Sequence, residues 1–333
     1  QTLVRLSVGG AGEGQLQFSG GAMGSSEEVR IGDGVRKGIA EVSDSTWQTG
    51  NLAVGFQSSG ELTVVNAGLL EAEGVFVGRD LDPLGGQTGA LTVRGAGSTL
   101  RAENLIVGGQ GTVTVEDAGR LELLPAPFGG LVGLGLGSSG GLARLLVNSG
   151  GELVTPGGMT VGAFAPARVV VAEGNRGYSA VPRLVVGELL LGGLPEVALP
   201  ASGTGEVLVA GDIGGNEFSL VSNALDIGNG RLEVQFGGKL LTSTDARVGV
   251  LGVGTAAILG GGGNPPESLT AWQISGSLAV GGPSVAEGSG ALEIRDAGVF
   301  VGTPSSPGSV LVGPGGAIGG TGTRNLLQLH GGL

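Results

Sequence analysis

The sequence predicts an all-β chain wound as a parallel β-helix, or β-solenoid, and three observations carry that prediction. The first is a recurring signature, apolar-any-apolar followed by glycine. It closes at Val8-Gly9, Ile31-Gly32, Val54-Gly55 and Val77-Gly78, and these glycines stand 23 residues apart. It continues at Gly108, Gly133, Gly162, Gly187, Gly228, Gly249, Gly281, Gly302 and Gly313. Self-similarity at a period between about 20 and 50 residues marks a repeat architecture. The second observation is composition: 74 of 333 residues are glycine, without a Gly-X-Y period, while 40% are apolar and only 3% aromatic. Collagen is excluded, and a core with so few rings must be narrow and aliphatic. The third is the period of two within every apolar piece, which is strand geometry with one face inward.

Three pieces follow one another in most repeats. The first reads Gly-x-apolar-x-apolar, as in Gly14 to Phe18, Gly60 to Val64, Gly89 to Val93, Gly111 to Val115, Gly205 to Val209, Gly230 to Val234 and Gly290 to Ile294. The second is a glycine followed closely by leucine, as in Gly68-Leu69-Leu70, Gly119-Arg120-Leu121, Gly151-Glu152-Leu153 and Gly238-Lys239-Leu240. The third is the closing signature. Asn, Asp, Ser and Gly separate them, residues that tolerate left-handed turns or bond their own backbone. Strands of three to five residues are unstable alone. They become stable when the same strand of the next repeat stacks on them, so three short strands per coil build three sheets around one core. Coils of about 25 residues give about 13 coils and, at roughly 4.8 Å each, a rod about 60 Å long. A propeller blade needs about 40 residues and longer strands, and helical periodicity is absent. The whole chain, 1–333, reads as one solenoid domain. Loop insertions are expected near 79–88, 125–130, 175–204 (Asn175 to Pro182 and Leu194 to Thr204) and 260–268. The 41 residues between Gly187 and Gly228 suggest a large insertion or a missed coil.

Composition also bounds function. The chain has no cysteine, which excludes disulfides, thiolate catalysis and Cys-ligated zinc. Net charge is −12, with lysine only at Lys37 and Lys239. An acidic surface repels phosphate backbones, so no nucleic-acid partner is expected. No run is long enough for a membrane-spanning helix. A start at Gln1 reads as a mature or trimmed N-terminus.

The segment Gly89 to Leu123, "GALTVRGAGSTLRAENLIVGGQGTVTVEDAGRLEL", resembles the repeat of bacterial autotransporter passenger domains and related secreted β-solenoid surface proteins. "STWQTGNLAVG" (Ser45 to Gly55) is similar to that family's junction, where a Trp precedes the closing strand. "GPGGAIGGTGT" (Gly313 to Thr323) resembles the segment near the end of such arrays. The resemblance spans nearly the whole chain, weakest from Ala163 to Gly205. It implies a right-handed helix, secreted and displayed on a bacterial surface, and it implies no catalytic residues. Two departures stand out. No alternating ten-residue strands with aromatic girdles, of the kind that build an outer-membrane barrel, occur up to Leu333. The Pro-Gly continuation common after "GGL" is also missing. Either a translocator has been removed or the protein uses another route.

Few residues look like chemistry. Arg79, Asp80 and Asp82 could face calcium or a saccharide, but a solvated loop is the better reading, and the glycine-Asp repeat that loads calcium into β-rolls is absent. Asp33 and Asp226 read as turn residues. Glu61, Glu122, Glu152, Glu206, Glu233 and Glu293 alternate with apolar residues and read as the wet face of strands, paired with Arg120, Arg231 or Arg295. Pectate-lyase-like enzymes share this architecture but need clustered acids and a base on one face. His330 is the sole histidine, without a serine-carboxylate constellation. Trp47 and Trp272 are read as core covers rather than sugar platforms. No catalytic residue, cofactor or metal is expected.

The ends remain. Leu3, Val4, Leu6 and Val8 at one end, and Leu326, Leu327 and Leu329 at the other, are strand-like and uncapped. A solenoid end exposes unpaired backbone unless capped. Docking of the two ends between copies does not close, so it yields a head-to-tail fibre. The leading expectation is a non-catalytic secreted structural subunit of a fibre or biofilm matrix. The alternative is a monomeric adhesin binding a host or neighbouring-cell glycan or protein, and a polysaccharide lyase or hydrolase is more remote.

Overall fold

The computed structural model describes residues 2–78, 87–125, 130–135, 141–172, 181–192, 203–211, 218–250, 252–260, 270–282, 288–320 and 326–329. Strands are the only regular elements among these residues, and they form two ladders of 12 and 17 strands, all paired in parallel between successive coils. The chain is a parallel β-solenoid.

The 12-stranded ladder is made of the Gly-x-apolar-x-apolar pieces and forms the first side of each coil. The other two pieces share the 17-stranded ladder because many coils run through them without a break, as in Thr46–Val54, Leu69–Val77 and Thr99–Val107. Sequence reading expects separate strands here. The structure replaces the turn with a one-residue corner: Gly50 is skipped while Thr49 pairs with Ala72 and Asn51 with Gly74. One extra residue resets the alternation, so Trp47 and Thr49 point inward before the corner and Leu52 and Val54 after it. Other coils split at that corner, as in Arg120–Leu123 with Leu131–Leu134, and Lys239–Thr242 with Ala246–Val248. Each coil therefore has three sides. The first-side ladder counts twelve coils, and strand Leu326–Leu329 opens one more second side.

The closing column runs Val8, Ile31, Val54, Val77, Val107, Leu134, Val161, Leu191, Ile227, Val248, Val280 and Val312. A glycine follows every one of them. Three expected closing glycines are thereby corrected. Gly133 lies inside strand Leu131–Leu134, and the closing pair is Leu134-Gly135. Gly187 lies at the corner of Arg183–Leu191, and the closing pair is Leu191-Gly192. Gly302 follows Val301, which belongs to the second side, paired with Ile274 and Leu329. The second side also ends apolar-x-apolar, so the motif cannot distinguish it from the third. No coil is missing between Gly187 and Gly228: strand Gly205–Ala210 fills the first side there. Within the loop expected at 175–204, residues 183–191 are strand. Residues 79–86, 126–129, 173–180, 193–202 and 261–269, where other loops were expected, lie outside the described residues.

Glycine at the closing corner has two causes. Gly55 adopts φ +75°, a left-handed conformation that L side chains disfavour. Gly60, opening the next first side, stands so close that a Cβ would lie 2.6 Å from the Ile31 carbonyl oxygen. The corner between first and second sides is a tight turn. In Val65-Asn66-Ala67-Gly68, the Gly68 N–H donates to the Val65 carbonyl at 2.8 Å, with φ of 51° at Asn66 and 60° at Ala67. This is a type I′ arrangement. Glu116 to Gly119 repeats it. The hydroxyl of one coil then satisfies the turn of the coil before: Ser45 Oγ accepts from Ala22 N, Ser98 Oγ from Ala67 N, and Thr270 Oγ1 from Gly237 N.

The interior is one aliphatic core. Trp47 and Trp272 occupy the same inward column as Leu70 and Leu240 and are 1% and 0% exposed. Each indole N–H donates to a hydroxyl of the preceding coil, Ser26 Oγ at 3.2 Å and Thr242 Oγ1 at 3.1 Å. Both rings are core, and a sugar-stacking role is excluded by burial.

Candidate functional site

Arg79, Asp80, Asp82 and His330 lie outside the described residues. The six outward glutamates are described, and each meets a cation. Glu61 pairs with Lys37, Glu122 with Arg101 and Arg120, Glu152 with Arg120 and Arg183, Glu206 with Arg168, Glu233 with Arg231, and Glu293 with Arg295. On the second side these join into a line along the rod: Glu71, Arg101, Glu122, Arg120, Glu152 and Arg183. Such half-exposed pairs contribute about 0.2–1 kcal/mol each. The glutamates are spread over two faces and several coils rather than converging, and no group of three His, Cys, Asp or Glu suited to a metal occurs among the described residues.

The two aspartates read as turn residues differ. Asp33 does sit at a closing corner, but it also accepts from Arg5 Nη2 at 3.0 Å and Ser7 Oγ at 2.6 Å, tying the first coil to the second. Asp226 is not in a turn; it lies in strand Leu220–Ile227, 3.9 Å from Arg247. Burial pushes its carboxyl above the ordinary range, Arg247 opposes that, and Glu188 adds to it. Its Oδ1 atom has no hydrogen-bond partner.

One outward groove was not legible in the sequence. On the third side the outward column runs Arg30, Ala53, Phe76, Ile106, Gly133 and Thr160. Gly74 and Gly133 withhold side chains there, leaving a depression of about 580 Å³ bordered by Asn51, Glu73, Phe76, Asn104, Ile106 and Leu131. Leu131 is 52% exposed.

The end residues fall into two patterns. At the amino-terminal end, Leu3 pairs with Ser26 through the backbone, Val4 is exposed, Leu6 is half-buried, and Val8 is buried beneath the second coil. The core is plugged there. Gly24 stands where the next coil has Trp47, and the Phe18 ring fills the gap. A Cβ on Gly24 would lie 2.5 Å from that ring, which stacks on Trp47 with centroids 4.7 Å apart. At the other end Leu327 and Leu329 continue the inward columns of Val299 and Val301, yet they are 40% and 47% exposed because no described strand covers them. Val312 is exposed for the same reason.

No protein-family model and no curated protein matches the sequence. Among solved structures, the chain is similar to a fragment of TibA hyper-glycosylated by TibC, at 15% identity and a TM-score of 0.44, covering 98% of this chain and 100% of that one.

Proposed function

We propose that this chain is a non-catalytic structural protein, secreted or displayed at a bacterial surface, whose coils stack end to end between copies into a fibre or matrix. The observation that supports the reading is the exposure of inward-column residues at one end of the described stack. Leu327, Leu329 and Val312 occupy inward columns, and their strands have one ladder neighbour each among the described residues. Exposed ladder edges recruit further strands, and the two ends of a solenoid are different surfaces, so their contact is open-ended rather than closed. Electron microscopy of the purified chain over a concentration series tests it. Filaments one solenoid wide are expected at high concentration, and short rods that never elongate would reject the reading.

The groove around Ile106 and Leu131 favours a second reading, a surface adhesin with an apolar floor and amide and carboxylate rims. Retained glycan or protein binding by solitary rods, abolished by Leu131→Glu, would select it over the first.

A further inference from the structure

We infer that the junction between copies is a shared coil, in which strand Leu326–Leu329 of one copy replaces the short second side at the start of the next. This rests on the end-to-end reading above and specifies its register. Among the described residues the first strand of the second side is short: Thr2 and Leu3 pair with Ser25 and Ser26, while Met23 and Gly24 have no ladder partner on that edge. At the other end the second side is one strand longer than the others. Leu326–Leu329 extends it past Val310–Val312 on the third side and Gly316–Gly320 on the first.

The three ladders close together in only one register. Val310 and Val312 lie in the columns of Leu6 and Val8 on the third side, and Gly316, Ile318 and Gly320 lie in those of Gly14, Leu16 and Phe18 on the first. Bringing both pairs of edges together puts Leu326–Leu329 in the rung of Thr2 and Leu3, against Met23–Ser26, where four residues pair in place of two. If Thr2 and Leu3 kept their places, the second side would hold one strand too many. The third and first sides would then be held apart by one rung of about 4.8 Å, with their backbone groups unpaired.

Side-chain size agrees with the exchanged register. Leu327 enters the column of Gly24 and lands on the Phe18 ring that fills it, while Gly320, without a side chain, stands in the column of Phe18 itself. Phe18 thus meets a position without a side chain, and Leu327 covers the ring that Phe18 turns into the Gly24 column.

The absence of cysteine makes the register directly testable. In the shared coil Gln328 lies beside Ser25, both outward, at a ladder spacing of about 4.8 Å that a disulfide can bridge. In the unexchanged alternative Gln328 lies beside Thr2. A chain carrying Ser25→Cys and Gln328→Cys is expected to give a ladder of covalent oligomers under mild oxidation. A chain carrying Thr2→Cys and Gln328→Cys is expected to stay at the level of the single-cysteine controls. The reverse pattern overturns the inference, and so do filaments in which neither pair cross-links. Absence of both filaments and cross-links at high concentration rejects the end-to-end reading itself. Trimming the chain to begin at Val4 removes the competing strand, so assembly should begin at a several-fold lower concentration; an unchanged threshold counts against exchange.

Discussion

The two ends of the solenoid expose the same columns but solve the exposure differently. At the amino-terminal end Phe18 turns across the axis, covers Trp47 and occupies the space left by Gly24. At the carboxy-terminal end Leu327 and Leu329 stand in the same kind of position, and no ring of the described residues lies over them. The comparison teaches that burial in a solenoid is a property of the stack, not of the residue. Leu70 and Leu327 share one column and one chemistry, but Leu70 has a coil on either side and is fully buried while Leu327 has a coil on one.

The contrast can be broken first at its largest expected effect. Val54→Asp or Leu91→Asp buries an unpaired charge between coils and should cost several kcal/mol, melting neighbouring coils with it. Leu327→Asp, at the open end of the rod, should cost under about 1 kcal/mol in the solitary chain. Thermal denaturation at low protein concentration separates the two, and equal losses would mean that the end is covered. Phe18→Ala comes next. It uncovers Trp47 and should cost about 2–3 kcal/mol, somewhat less than a fully buried phenylalanine, and fluorescence should report a more solvated indole. Leu329→Ala at the other end should change melting little.

Asp226 supplies a smaller effect with a definite sign. Its folded-state pKa is raised, so the native state holds its proton more tightly than the unfolded chain does. Its contribution to stability is full below the ordinary aspartate value and is lost as pH rises through the raised one. Asp226→Asn should therefore raise the melting temperature at neutral pH, with the gain shrinking toward pH ~3.8; a pH-independent difference would contradict this. Smallest of all, Glu122→Gln weakens two half-exposed contacts with Arg101 and Arg120 and should shift stability by less than about 1 kcal/mol. A larger loss would show that the charged line on the second side acts as a unit.

The general plan is readable from residues alone because alternation and glycine are local demands. A strand with one wet face must alternate, and a corner at φ +75° selects glycine, so Val54-Gly55 announces itself. Gly187 and Gly302 mislead because second and third sides both end in an inward aliphatic, and only the ladder register tells them apart; Gly133 misleads because a glycine fills an outward position between inward Val132 and Leu134. The one-residue corner at Gly50 leaves no composition signal, since Glu27, Glu73 and Glu103 occupy the equivalent place elsewhere. The candidate site divides in the same way. The end strands stand out as apolar runs, whereas the groove at Gly74 and Gly133 depends on which residues of different coils become neighbours.

By itself the sequence determined the architecture, the aliphatic interior and the outward facing of the glutamates, because each follows from period, turn chemistry and alternation along the chain. Only the tertiary structure decided which glycine closes each coil, that Asp226 lies in a strand beside Arg247, and that Phe18 plugs one end while Leu327 stays bare at the other. Those facts belong to residues 20 to 40 positions apart, brought into contact by coil stacking, and coil length varies too much after Gly78 for spacing to assign them.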